Sequence, residues 1–198
     1  MITDISQLDL NKRYTYADYL TWQFDERVEL IRGKVVSMIP TPNLNHQEIS
    51  GNLFIQIHRF IRKSPIKVFA APFDVRLPLP PDRQTSKKID TVVQPDLSII
   101  CDLTKLDLQG CNGAPDWIIE ILSRSTAHKD LIEKFDLYQH AGVKEYWVVH
   151  PEEGTLIAWT LNESGLYQPI RPQPFTSPEK VPVASIPGFE VDLTEVFG

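Results

Sequence analysis

Two short runs dense in branched aliphatic residues dominate the hydrophobic pattern, Val92-Val93-Gln94-Pro95-Asp96-Leu97-Ser98-Ile99-Ile100 and Asp116-Trp117-Ile118-Ile119-Glu120-Ile121-Leu122. Their length, β-branching and flanking turn residues predict buried strands. Between them, Asp102 to Ala114 is a polar connecting segment. Helical spacing occurs in two places. Ile49, Leu53, Ile57, Phe60 and Ile61 form one stripe between Pro42 and Pro65, which predicts a long helix over Asn43 to Lys63. Leu131, Phe135 and Tyr138 form another, predicting a helix from Ser125 to Gly142 with Ser125 or Thr126 as N-cap.

Shorter elements fill the gaps. Thr15 to Gln23 reads as a short capped helix, and Arg27 to Met38 as two strands turning at Arg32-Gly33. Lys67 to Leu77 has strand character broken at Pro72, and Leu77 to Lys88 is a proline-rich exposed loop. Glu145 to Val149 and Thr155 to Leu161 form a closing strand pair, and from Arg171 onward frequent proline predicts an extended wrapping segment, 171–198. Alternating helices and strands predict an α/β or α+β fold, a mixed sheet flanked by helices, in one domain spanning 1–198.

A chain of 198 residues, 42% hydrophobic, supports one such core. Its formal charge of −6, from 26 acidic and 20 basic residues, provides no global field for nucleic acid. Contact with DNA then requires a local patch, and the best candidates are Arg83, Lys87 and Lys88 in the loop and Arg59, Arg62 and Lys63 at the end of the long helix. Such a charge run is more commonly a solvated face. Cys101 and Cys111 fit reduced thiols better than a disulfide framework. No stretch has signal-peptide character or membrane-spanning length, so a cytoplasmic protein without a membrane partner is expected.

The chemistry lies in the two strand-like runs. Alternate residues of a strand share a face, so Gln94, Asp96 and Ser98 point together, as do Ile118, Glu120 and Leu122. If the strands are neighbours, Asp96 and Glu120 converge. A buried carboxylate loses several kcal/mol of hydration unless a cation or donors replace the water. Two such carboxylates, with the backbone carbonyl of Ile121, suit a divalent ion with oxygen ligands. Such a site points to hydrolysis of a phosphate ester.

Gln94-Pro95-Asp96, Ile119-Glu120-Ile121-Leu122-Ser123, Asp130-Leu131-Ile132-Glu133-Lys134 and Gly142-Val143-Lys144-Glu145-Tyr146-Trp147-Val148-Val149 together resemble the bacterial "putative restriction endonuclease" family of the PD-(D/E)XK nuclease superfamily. The resemblance extends back through Glu29-Leu30-Ile31-Arg32-Gly33-Lys34-Val35-Val36 and His46. It implies a restriction-endonuclease-like mixed sheet, with Asp96 as the motif aspartate, Glu120 as the motif acid and Mg2+ (Mn2+ as substitute) as the metal. Leu122 stands where the superfamily motif has lysine, and the resemblance moves that role to Lys134 in the following helix. It also implies auxiliary roles for His46, Glu29 and Gln94, DNA as substrate, and a homodimer by analogy with superfamily members that cut both strands.

Ordinary structural roles compete for each residue. Asp96 can cap backbone amides, Glu120 can pair with Arg124, and Lys134 can form a surface pair with Asp130 one helical turn away. Glu29 can pair with Arg27 or Lys34 across its hairpin, and His46 can cap its helix. Asp74 is a weaker candidate, His140 and His150 read as structural, and Trp117, Tyr146 and Trp147 as core aromatics. Two functions follow: a Mg2+-dependent endonuclease hydrolysing DNA phosphodiester bonds, or a non-catalytic binding or scaffold protein that retains the nuclease fold.

Overall fold

The computed structural model describes residues 2–38, 44–78, 89–123 and 129–198. Arg83, Lys87, Lys88, Arg124 and the proposed helix caps Ser125 and Thr126 lie outside the described residues. The chain forms β1 (Arg27–Ile31), β2 (Lys34–Met38), β3 (Lys67–Ala70), β4 (Val75–Arg76), β5 (Val92–Val93), β6 (Leu97–Ile100), β7 (Leu106–Asp107) and β8 (Gly110–Asn112). There follow β9 (Trp117–Ile121), β10 (Glu145–His150), β11 (Thr155–Leu161), β12 (Tyr167–Pro169), β13 (Phe175–Thr176), β14 (Lys180–Pro182) and β15 (Glu190–Asp192). The α-helices are α1 (Tyr16–Tyr19), α2 (Leu44–Ile61), α3 (Phe135–Ala141) and α4 (Leu193–Phe197).

The larger sheet runs β12-β11-β10-β9-β6-β3, with β13 added beside β11. It is mixed: β9 and β10 are parallel, while β6 pairs with β9 antiparallel. A smaller sheet runs β2-β1-β5-β4-β8-β7. The architecture is the α+β, mixed-sheet arrangement that the hydrophobic pattern predicts.

Alternation in β9 divides its side chains between two cores. Trp117, Ile119 and Ile121 join Ile49, Leu53 and Ile57 of α2. Ile118 and Leu122 join Tyr138 of α3 and Val93 of the smaller sheet. Full burial of each large apolar side chain contributes about 1.5–3 kcal/mol, so both faces are held firmly. The sheet therefore lies between α2 on one side and α3 with the smaller sheet on the other. Among the described residues, no helix is long and apolar enough to cross a membrane.

Several boundaries differ from the sequence reading. The first helix is a single turn, stopped soon after a capping box in which Thr15 and Asp18 satisfy each other's backbone amides. Phe60, assigned to the buried stripe of α2, is 48% exposed and instead stacks on Phe189 at its edge. The segment before α3 begins as a π-helical turn over Lys129–Lys134, and Gly142 ends α3 in the left-handed conformation. The polar connection holds the β7–β8 hairpin. Residues 171–198 are not simply extended: they form the β14–β15 hairpin and α4 and place Val181, Phe189, Val191 and Leu193 in the main core.

Candidate functional site

The site lies where β6 begins and β9 ends, beside β1, α2 and the turn preceding α3. Leu97 pairs with Ile119 and Ser98 with Ile118, so continuing the antiparallel register one step sets Asp96 across from Glu120. The Ile121 N–H donates to Asp96 Oδ2 at 2.8 Å. Pro95 has no N–H with which to extend the ladder, and the next β9 amide is accepted by the Asp96 carboxylate.

Glu120 points to the opposite helix. Lys134 Nζ lies 2.8 Å from Glu120 Oε1 and 3.0 Å from Glu29 Oε1. Tyr138 Oη donates to Glu120 Oε1 at 2.7 Å, one helical turn beyond Lys134. All three charged groups are interior: Lys134 is 1% exposed, Glu29 0% and Glu120 3%. Burial beside the Glu120 and Glu29 carboxylates holds the Tyr138 hydroxyl far above its ordinary pKa, so it acts as a neutral donor. The Lys134 ammonium is therefore inside the protein, not on its surface, while the side chain of Asp130 lies outside the described residues.

Glu29 reaches this cluster because the smaller sheet delivers it. It lies in β1, where Leu30 pairs with Val92 of β5, and the Gln94 backbone N–H donates to Glu29 Oε1 at 3.0 Å. The expected cross-hairpin partners Arg27 and Lys34 are both exposed, and Lys134 takes their place. The Gln94 side chain turns elsewhere, its Nε2 donating to Asp74 Oδ1 at 2.8 Å and to the Tyr19 hydroxyl at 3.3 Å.

His46, in the first turn of α2, closes the other side. Its Nε2 lies 3.3 Å from Asp96 Oδ1, and its ring also hydrogen-bonds the Ile121 backbone. The hydrogen bond to Asp96 raises the imidazole above its ordinary pKa, outweighing the opposite effect of burial. Protein groups therefore contact each of the three oxygen donors expected for a metal, His46 at Asp96 and Ile121 and Lys134 at Glu120.

The donor chemistry fits a hard divalent cation: two carboxylates and a peptide carbonyl, with Glu29, Glu120 and Lys134 together carrying one formal negative charge. Among the described residues, no group of three or more His, Cys, Asp or Glu side chains is arranged to hold a metal. Any ion here would thus rely on backbone oxygen and water besides the two acids. The remaining candidates are structural in placement: His140 lies 3.1 Å from Asp136, and Trp117 and Trp147 meet edge to face with both rings fully buried.

Sequence reasoning alone did not find Tyr138 as a partner of Glu120. Its signal was present in the spacing, since Lys134 and Tyr138 are four apart and share a helical face.

Nothing among curated proteins matches the chain. The crystal structure of a "putative nuclease belonging to DUF820" from Anabaena variabilis is similar in fold, with a TM-score of 0.68 at 20% identity, over 93% of this chain and 97% of that one. The family described as "Putative restriction endonuclease" (Uma2) matches residues 16–194, nearly the whole length. The chain belongs to the Uma2 "putative restriction endonuclease" family.

Proposed function

We propose that this protein is a Mg2+-dependent endonuclease that hydrolyses DNA phosphodiester bonds. The observation that carries the reading is the buried Lys134 ammonium held by Glu29 and Glu120 at the strand end that also bears Asp96. Family membership supports the nuclease class.

Asp96, Glu120 and the Ile121 carbonyl are the groups that would hold the ion, with Mn2+ able to replace Mg2+. When bound, such an ion supplies charge neutralisation at the phosphate and activation of a water. Lys134 provides the fixed positive charge for the anion that develops on phosphoryl transfer. Tyr138 and Glu29 orient Lys134 and Glu120, and His46 orients the Asp96 carboxylate. A homodimer acting on both strands in the cytoplasm completes the proposal.

One observation favours a second reading. His46 and Lys134 already engage the oxygen donors, an arrangement also suited to a non-catalytic binding or scaffold protein that retains the nuclease fold.

Plasmid nicking separates the two readings. Purified protein with Mg2+ or Mn2+ should nick supercoiled DNA, and Asp96→Ala and Glu120→Ala should each abolish it. Equal residual nicking in the variants marks contamination. Folded wild-type protein that leaves the plasmid intact with either metal overturns the endonuclease reading.

A further inference from the structure

A cavity of about 430 Å3 opens between the β3–β4 connection and the β7–β8 hairpin, outside the carboxylate cluster. Its apolar side includes Phe69, Phe73 and Leu106, and the two phenyl rings stack at 4.2 Å, only 4° from parallel. Its polar side includes Asp74 and Gln94. Gln94 Nε2 donates to Asp74, which fixes the orientation of the amide and leaves Oε1 buried with no hydrogen-bond partner among the described residues. A buried acceptor in that state costs free energy unless a donor reaches it.

The hairpin beside the cavity is well anchored at its base and exposed at its tip. Arg76 Nη2 donates to Asp107 Oδ1 at 2.6 Å, and the Cys111 N–H donates to the Asp74 carbonyl at 2.9 Å. Leu108, at the tip and on the cavity rim, is fully exposed. Leu108 thus stands in water at the mouth of the cavity, where it is placed to cover an occupant.

We propose that this cavity binds a nucleobase bearing an exocyclic amino group, packed beside Phe69 and Phe73, accepted by Asp74 and Gln94 and covered by Leu108. Among the described residues neither lysine nor arginine lines it, and its two carboxylates, Asp74 and Asp107, would repel a phosphate. Asp74 Oδ1 already accepts from Gln94 and Tyr19, and an aliphatic occupant would bring no donor for Gln94 Oε1. A flat ring with N–H donors satisfies both sides, and the volume lies within the range of small-molecule sites. This rests on the endonuclease reading and narrows its substrate. Gln94 forms part of the cavity wall, donates from its backbone to Glu29, and lies two residues before Asp96. A base in the cavity has left its stack, so the substrate is single-stranded DNA or a duplex with an extruded base.

The test uses the full chain with 13C-labelled leucine methyls, titrated without metal so that no hydrolysis is needed. Deoxycytidine and deoxyadenosine should shift the Leu106 and Leu108 methyls through ring currents and bind about fivefold more tightly than thymidine, which has no amino group to donate. Deoxyribose 5-phosphate should leave both methyls unmoved. Phe73→Ala should weaken all nucleosides, and Asp74→Asn, which keeps the size of the side chain, should erase the preference over thymidine. The proposal is overturned if no nucleoside moves these methyls at millimolar concentration, if the sugar phosphate moves them equally, or if Asp74→Asn leaves the preference intact. Plasmid nicking fails separately: a cavity that binds nucleosides in a protein that never cuts DNA removes the nuclease reading and keeps the base site.

Discussion

Lys134 reaches Glu120 across the helix–sheet interface, its Nζ 2.8 Å from Oε1 with both side chains almost wholly buried. A pair this deep costs much of its Coulomb energy in lost hydration, so it is weak as a source of stability. Its removal is another matter. Lys134→Met would leave Glu29 and Glu120 interior without the ammonium between them, and the expected loss is about 3–5 kcal/mol in urea unfolding. Glu120→Gln combined with Lys134→Met should destabilise by less than the sum of the single changes, with a coupling of about 1–3 kcal/mol. Strict additivity would show that the contact is energetically idle.

Asp96 can be tested without touching the packing. Asp96→Asn retains an oxygen for the Ile121 N–H but gives up the negative charge facing His46. If the carboxylate holds a divalent ion, Mn2+ at a hundredfold excess over Kd stabilises the wild type by about 2.7 kcal/mol, or roughly 5–10 °C in Tm for a chain of this size. The asparagine variant should melt close to the metal-free wild type and gain almost nothing from Mn2+. An equal gain in both proteins would place the ion elsewhere.

How much of this was legible beforehand depends on the range over which each contact is encoded. Strand alternation around Asp96 and Glu120 follows from local pattern, and so does the burial of Ile49, Leu53 and Ile57, whereas the pairing of β6 with β9 entered the sequence reading only as a condition. The contact of Lys134 with Glu29 does not, because it depends on how the smaller sheet packs against α3, which no periodicity records. The β7–β8 hairpin escaped notice because its strands are only two and three residues long and carry no alternating pattern. Proline in 171–198 suggested an extended wrapping segment, yet Val181, Val191 and Leu193 pack in the core from a hairpin and a short helix between those prolines, since a short hairpin tolerates them at its edge.

That C-terminal region contains a pH-sensitive tie. Arg171 donates to both oxygens of Glu179, and this, aided by the Thr176 N–H, holds the Glu179 carboxyl down at about 2. A carboxylate whose pKa is lower in the folded state contributes stability above its unfolded value, near 4.3, and loses it as the pH falls through about 2. The stability difference between wild type and Glu179→Gln should therefore be constant at neutral pH and shrink through that acid window. Amide exchange at Thr176 is a local readout of the same change. A difference that stays constant from pH 5 down to pH 2, roughly the window set by these two pKa values, would remove the ion pair from the account.

Gly110 offers the sharpest test of the hairpin. Its φ is +126°, and a Cβ built there would lie 2.2 Å from the Asp74 carbonyl oxygen, a backbone atom that cannot swing aside. Gly142 also has a positive φ, +85°, but a Cβ there meets nothing within 4 Å. Gly142→Ala thus carries only the conformational penalty, about 1–2 kcal/mol. Gly110→Ala adds a backbone clash to a region of φ that is almost exclusive to glycine, and should cost at least about 2 kcal/mol more. Relief of that clash must push β8 away from β4, breaking the Cys111 N–H bond to Asp74 and displacing Leu106 and Leu108. Chemical denaturation of the two variants, with leucine methyl spectra of each, measures both effects, and equal costs at the two glycines would mean that the hairpin is free to slide.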